Sequence, residues 1–280
     1  MKTNLIKAFI NLVSSNQSRL SQDLTSPNRI TLQWKALEEF IKDIFCDTVN
    51  LTNINEKLKI QNQKLSWQWS LNNPPDLILR DGDAIEVKKL GSETSISLNS
   101  SHPKDKIYSN DSRILPACRN CENWTVKDMI YAIGVVKEDS ISNLWLIYGD
   151  CFAAERDIYD RTFNSITNAF TTNSQLKFSP TNELWRVNNV DPLGITYFRI
   201  RGMWWIEHPS KVFDYLPIAK EGDFVVNVLM LKSKYLSFPI EDRNTLEALS
   251  SRDTKILEVE IKSPNNPVRL LEAVLITFTR

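Results

Sequence analysis

The chain has few glycines and no long apolar run. Seven glycines beside eight tryptophans argue against a low-complexity or disordered protein. No stretch approaches the roughly 18 consecutive apolar residues of a membrane span. Residues 1–17 contain Asn11 and no small-residue cleavage site, so they predict an amphipathic helix rather than a signal peptide. We therefore expect a folded cytoplasmic protein with no membrane partner.

The chain also lacks a net charge and a clear cysteine framework. Its 34 basic and 34 acidic residues cancel, so binding to a polyanion would require a local basic patch. Of the four cysteines, only Cys118 and Cys121 lie close together in the sequence. A structural zinc site needs two further ligands at similar spacing, so we interpret this pair as neighbours on one helix.

The 280 residues predict an α/β protein. Apolar residues spaced for a helix occur over 5–14 and 32–46, and buried strands are predicted over 129–136 and 143–149. A further helix is expected from Ala153 to about Phe170. The polar stretch 171–182 breaks the pattern, and strands dominate beyond it. This order favours an α/β core with a strand-rich C-terminal elaboration.

The segment PPDLILRDGDAIEVKK, residues 74–89, has the pattern of a β-hairpin. If Leu79 and Asp83 close it, the loop has three residues and ends in Gly82, which we expect in the left-handed conformation. This register places Asp76 directly opposite Glu86. Side chains alternate along a strand, so these two carboxylates share a face with the Lys88 ammonium, and the other face is entirely apolar.

Two carboxylates that lie about 5 Å apart repel each other unless a cation lies between them. Mg²⁺ fits, because it is held by one or two carboxylates together with substrate phosphate. Lys88 could then contact a phosphate oxygen or the attacking water. The alternative is an ordinary solvated face, since the Glu-x-Lys pattern recurs at Glu260 and Lys262 without a preceding Asp.

Pro75-Asp76 followed by Glu86-Val87-Lys88 resembles the signature of the PD-(D/E)XK nuclease superfamily. Many members carry a helical Glu that supports the metal site, and Glu38 in ALEEFIKDIF matches that position. More specifically, ALEEFIKDIF, the hairpin, LNSSHPKDK and VNNVDPLGITYFRIRGMWWIEHP resemble blocks of the NgoPII-type type II restriction endonucleases, in the same order.

This resemblance implies a PD-(D/E)XK fold, a mixed central sheet flanked by helices, in a single domain over 1–280. The catalytic core would occupy about 30–170 and a DNA-recognition region about 180–280. The implied activity is Mg²⁺-dependent cleavage of double-stranded DNA at a short palindrome, with GGCC as the suggested site. Asp76, Glu86 and Glu38 would bind the metal, and Lys88 would complete the catalytic set. The resemblance also implies a homodimer and a cognate DNA methyltransferase encoded with it.

Two further segments are candidates for DNA contact. In the loop after the catalytic strand, Ser100, Ser101, His102 and Lys104 could bind phosphate, although a plain surface loop explains them equally well. In FRIRGMWW, Arg199 and Arg201 alternate with apolar residues, so we expect them on one strand face that could contact guanine. Salt bridges on an exposed strand are the alternative.

Two other functions remain open at this stage. A repair or recombination nuclease could use the same metal site on damaged or branched DNA. A non-catalytic DNA-binding protein could carry the hairpin charges for structural reasons. A nuclease built on a histidine base and a clustered metal set is disfavoured, because His102 and His208 are the only histidines.

Overall fold

The computed structural model describes residues 2–15, 17–20, 29–68, 74–111, 113–171, 177–180 and 185–280. The helices of this part are α1 (Leu5–Ser15), α2 (Arg29–Cys46), α3 (Ile54–Lys64), α4 (Pro116–Arg119), α5 (Gly149–Phe152), α6 (Arg156–Thr171), α7 (Pro209–Val212), α8 (Lys232–Ser237) and α9 (Ile240–Ala248). The strands are β1 (Leu65–Gln68), β2 (Leu77–Leu79), β3 (Ala84–Leu90), β4 (Ile96–Asn99), β5 (Lys106–Tyr108), β6 (Val126–Lys137), β7 (Ser140–Tyr148), β8 (Lys177–Pro180), β9 (Trp185–Asn188), β10 (Phe198–Ile200), β11 (Trp204–Ile206), β12 (Val225–Leu231), β13 (Thr254–Lys262) and β14 (Leu270–Thr279).

A large mixed sheet forms the centre of the molecule, in the order β1-β2-β3-β6-β7-β12-β14-β13, with β5 paired to β6. The pairs β3/β6 and β7/β12 are parallel, and the other neighbours are antiparallel. The predicted α/β architecture with a mixed central sheet and flanking helices is therefore confirmed. Strands from the C-terminal part of the chain extend the same sheet that contains β3. The division into a catalytic core and a recognition region stays a prediction.

The sheet forms because its strands carry nearly continuous apolar runs. In β6 and β7 almost every side chain from Met129 to Val136 and from Leu144 to Tyr148 is buried, as expected for strands covered on both faces. Both strands were predicted, and both extend a few residues further than the apolar run. Two smaller sheets accompany the central one: β8-β9-β10, and β4 paired with β11.

Helix α2 packs its apolar stripe on the sheet beside the predicted hairpin. The five predicted stripe residues are buried: Leu37, Phe40, Ile41, Ile44 and Phe45. Leu37 lies directly over Gly134 of β6, where an added Cβ would approach the leucine side chain to 2.9 Å. Replacing Leu37 by Ala would cost about 2–5 kcal/mol of stability, because the site is fully packed. This contact fixes the position of the neighbouring Glu38.

The remaining local predictions differ in detail from the structure. The helix expected from Ala153 begins at Arg156, after the short helix α5. Cys118 lies in α4, but Cys121 follows its end, so the two do not share a helix; all four cysteines are free. The polar stretch 171–182 lies partly outside the described residues. No helix in the described ranges is both long and apolar enough to cross a membrane.

Candidate active site

The β2–β3 hairpin adopts the predicted register. Leu77 pairs with Ile85 and Ile78 with Ala84, and the Leu79 amide donates to the Asp83 carbonyl at 2.9 Å. The predicted apolar face is buried throughout: Leu77, Leu79, Ile85 and Val87 are each at most 1% exposed. The regular pairing ends at Leu77, and the Asp76 amide donates to the Ile85 carbonyl at 3.1 Å, one residue short of Glu86. Asp76 therefore lies close enough to Glu86 for their charges to interact, but the exact 76/86 pair stays a prediction.

The turn reaches this register by a different backbone path from the one predicted. Asp81, not Gly82, has the positive φ, at 54°. Aspartate tolerates this region better than most residues. Gly82 suits the turn for another reason: a Cβ there would lie 3.0 Å from the Cβ of Leu79, so any side chain would be tightly crowded. The expectation that Gly82 takes the left-handed position is wrong, although the loop length and pairing are right.

The three side chains of the predicted catalytic set meet at the far end of this hairpin. The Val87 amide donates to Asp76 Oδ2 at 2.7 Å, which holds that carboxylate over β3. Lys88 Nζ donates to Glu86 Oε1 at 2.7 Å. The other carboxylate oxygen of Glu86, Oε2, is buried and has no partner among the described residues. An unpaired carboxylate oxygen beside a second carboxylate is a donor arrangement that a cation would complete.

The electrostatics of this end of the hairpin also favour a cation. Burial raises the pKa of Asp76 well above its ordinary value, and the nearby Glu86 raises it further. Burial alone would lower the pKa of Lys88, but Glu86 and Asp76 outweigh it, so the pKa is raised and the ammonium stays charged. The Lys88 ammonium pairs directly with Glu86 alone, and a divalent ion would relieve the remaining repulsion between Glu86 and Asp76.

Glu38 lies on α2 within electrostatic range of the same site. Burial raises its pKa, with Lys42, Glu39 and then Glu86 as the nearest charged influences. Glu38 is thus close enough to the hairpin for its charge to act on Glu86 and Lys88, and its role in a metal site stays a prediction. Among the described residues, however, no three His, Cys, Asp or Glu side chains lie close enough together to hold a metal ion. The residues that fit an ion here are the Asp76–Glu86 pair, which leaves further coordination positions to water or substrate.

The loop after β4 reaches the same site. Ser101, His102 and Lys104 line a small pocket together with Glu86. Ser100 is exposed, whereas His102 and Lys104 are 6% and 4% exposed. Lys104 Nζ lies 3.4 Å from Asp111 Oδ2. The buried pair has protein partners, so DNA contact by these two side chains stays a prediction that requires the loop to rearrange.

Hydrogen bonds and ring contacts surround His102, and its imidazole is neutral. Arg113 Nη2 donates to Nε2 at 2.9 Å, so the ring proton is on Nδ1, which lies 2.6 Å from the Pro103 carbonyl. Burial lowers the pKa of His102 to about 4, and the cationic Lys104 acts in the same direction. The ring stacks on Tyr159 at 5.1 Å and meets the edge of Trp204 at 6.3 Å. Trp204 begins β11, which pairs with β4, so these rings join the loop to the segment around 200.

The two predicted arginines do not share a strand face, because β10 ends at Ile200 and Arg201 lies beyond it. Both are exposed. Arg199 instead lies directly opposite Arg186 of β9, which is also exposed. Sequence reasoning missed Arg186, since nothing in LWRVNN reveals its pairing partner. The two residues are partners across the strand pair, and the Arg186 guanidinium lies over the Tyr197 ring, 5.2 Å from its centre.

A second polar network braces the turn of the catalytic hairpin. Lys234 of α8 lies 2.9 Å from Asp83 Oδ1 and 2.6 Å from Asp128 Oδ2. The buried Tyr148 hydroxyl donates to Asp83 Oδ2 at 2.6 Å. A helix late in the chain is thereby tied to the strand that carries Glu86 and Lys88. No sequence motif indicated this network.

Glu260 and Lys262 carry the same Glu-x-Lys spacing at the sheet edge. Both are exposed on β13, the last strand of the central sheet. They lie on the solvated face that the sequence predicted for them and offer a matched control for the catalytic pair.

Comparison with known proteins gives a consistent result over nearly the whole chain. The family model described as NgoPII restriction endonuclease matches residues 3–262. The type II restriction enzyme NgoPII of Neisseria gonorrhoeae is 40% identical over 280 residues, which cover 98% of this chain and 99% of that protein. No solved structure is significantly similar to the chain.

Proposed function

Because the chain belongs to the NgoPII restriction endonuclease family, it is an endonuclease, and we propose that it hydrolyses double-stranded DNA at a short palindrome with Mg²⁺ as cofactor. The observation that carries the cofactor proposal is the unpaired, buried Oε2 of Glu86 beside Asp76. We further propose a PD-(D/E)XK core, a GGCC target, a homodimeric enzyme and a cognate methyltransferase that protects the host DNA. The resemblance of the hairpin and flanking blocks supports these finer points.

In this proposal Asp76 and Glu86 hold the ion, and Glu38 supports it from α2. When bound, the ion supplies positive charge against the charge that develops on the scissile phosphate and acts as a Lewis acid toward water. In the structure the Glu86 carboxylate also forms an ion pair with the Lys88 ammonium. Because Lys88 is held by Oε1 and the unpaired oxygen is Oε2, Glu86 could hold an ion while the Lys88 ammonium keeps its place and offers its other N–H groups to a phosphate oxygen or the attacking water. Its raised pKa keeps Lys88 protonated, so it acts as a charge and hydrogen-bond donor, not as a base.

DNA contacts are proposed on two surfaces. Ser101 lines the Glu86 pocket, the preceding Ser100 is exposed, and both can offer hydroxyl groups to phosphate. Arg199 and Arg201 are proposed to contact the target bases, and the structure adds Arg186 opposite Arg199. One guanidinium group can donate two hydrogen bonds to guanine, to O6 and N7, which suits a GC-rich palindrome.

The test is incubation of unmethylated phage DNA with Mg²⁺, followed by sequencing of the fragment ends. Discrete fragments with one common end sequence support the proposal, and ends at GGCC support the target. Asp76→Ala and Glu86→Ala should abolish cutting but keep DNA binding, since each removes a metal ligand from the polar face alone. Glu260→Ala is the control and should cut normally. Cutting only at damaged or branched DNA would indicate a repair nuclease, and metal-independent binding without cutting would indicate a non-catalytic protein.

A further inference from the structure

The loop joining β9 to β10 ends in an apolar tip. Leu193 and Ile195 are 81% and 76% exposed, and Tyr197 and Phe198 behind them are 60% and 62% exposed. Tips of surface loops are ordinarily polar, and clustered exposed apolar side chains mark interaction sites.

The tip is held in a fixed shape. The Asp191 carboxylate accepts hydrogen bonds from the amides of Leu193 (2.9 Å) and Thr196, and the Asp191 carbonyl accepts from Gly194 at 2.9 Å. Gly194 has a φ of +70°, which closes the turn. A tip that is already ordered loses little conformational entropy when it inserts into a partner.

Strands β9 and β10, which form the hairpin that carries this tip, indicate a polyanion as the partner. Arg186 and Arg199 lie directly opposite each other on one exposed face of the small sheet. The two arginines concentrate positive charge on this exposed face, and positive charge of this kind suits the phosphates of a nucleic acid. The same face carries Asn188, whose amide donates to Ser179 Oγ at 2.6 Å. On the opposite face the Phe178 and Trp185 rings pack together 6.1 Å apart, while Phe198 on that face stays exposed.

We propose that this hairpin is a DNA wedge: Leu193 enters between neighbouring base pairs of the substrate while Arg186 and Arg199 hold the adjacent backbone or guanine edges. Apolar side chains inserted at base steps unstack and kink the duplex, and the deformation discriminates between sequences that differ in stiffness. The Arg186 guanidinium, 5.2 Å from the Tyr197 ring centre, connects the charged base of the hairpin to its apolar part. The proposal rests on the proposed function, because it takes DNA as the substrate.

The experiment uses a duplex that carries the mapped cleavage site, with 2-aminopurine placed at successive positions, and Ca²⁺ in place of Mg²⁺ to prevent cutting. Wild-type protein should raise the fluorescence at one step within or beside the site, because the probe loses its stacking neighbour there. Leu193→Ser should lose this rise and bind about tenfold more weakly. Leu193→Phe, which keeps an apolar tip, should retain it.

The matched control is Val268→Ser, which replaces another apolar side chain, 90% exposed, in the turn before β14. It should leave fluorescence, affinity and cleavage unchanged. Circular dichroism should show that all variants are folded, since none of the replaced side chains is buried.

Three outcomes would overturn the wedge. If wild-type protein cuts the duplex but no probe position responds, or if Leu193→Ser responds like wild type, the tip does not enter DNA, although the proposed function stands. If Leu193→Ser converts a dimer to a monomer by light scattering and keeps the probe response, the tip contacts a second copy of the chain instead. If wild-type protein neither binds nor cuts DNA, the proposed function itself fails.

Discussion

At the scale of single residues, Lys88 is the side chain whose loss should separate catalysis from binding most cleanly. Lys88→Ala should lower the cleavage rate roughly 10²–10³-fold, because one charged contact to the transition state is lost. Binding in Ca²⁺ should change little. Rates under single-turnover conditions measure the effect, with Lys262→Ala as the control from the exposed Glu-x-Lys pair. Complete recovery of the Lys88→Ala rate at higher Mg²⁺ would instead assign Lys88 a role in building the metal site.

His102 gives a second residue-level prediction, a loss of stability in acid. Its pKa is about 4 in the folded protein and about 6.5 in an unfolded chain, so the unfolded state takes up the proton first as the pH falls. Neutral His102 contributes at most about 3 kcal/mol to the free energy of unfolding. This contribution is present above about pH 6.5 and is lost as the pH falls toward 4.

Thermal unfolding between pH 7 and 4 tests this prediction. The melting temperature of His102→Asn should fall less over that range than that of the wild type. The carboxylates and the buried His208 titrate in both proteins, so the difference between the two curves isolates His102. Parallel curves would show that His102 is already protonated or exposed at neutral pH.

At the scale of elements, α8 stabilises the catalytic hairpin from a distance. Lys234→Met should lower the free energy of unfolding by about 3 kcal/mol, because Asp83 and Asp128 lose their shared ammonium in a partly buried place. Urea unfolding measures the change. Lys232→Met is the control: its ion pair with Glu258 is at the surface and should contribute little. Equal stability of the two variants would mean that Asp83 is solvated and that α8 does not brace the turn.

The same elements show how far the sequence could predict the structure. The hairpin register followed from residues within 16 positions of each other, since turn length and alternation both require it. The apolar stripe of α2 was likewise predicted from the spacing of residues within one short segment. The conformation of Asp81, the pairing of Arg199 with Arg186 and the contacts of His102 were not predicted. Each depends on residues brought together by the fold, and no periodicity in a single segment carries that information.

At the scale of the whole molecule, the proposed palindromic target predicts a two-fold symmetric pair of chains. A palindrome presents two equivalent half-sites, and a symmetric dimer would place one Asp76–Glu86 site on each strand. Light scattering should give twice the 32.3 kDa mass of one chain, in solution or on the target duplex. A single chain in both conditions would require each strand to be cut in a separate binding event.

The rings of His102, Tyr159 and Trp204 lie between the Glu86 pocket and the strand that follows Arg201. Arg201, a proposed DNA contact, lies three residues before Trp204, so a poor contact with the duplex there would be passed through these rings to the loop that lines the pocket. Sequence selectivity would then lie partly in the cleavage rate: the enzyme would bind DNA sequences close to its target for a time but leave them uncut. A genome holds many such sequences. An enzyme that binds them without cutting them does the cell less harm than one that cuts them.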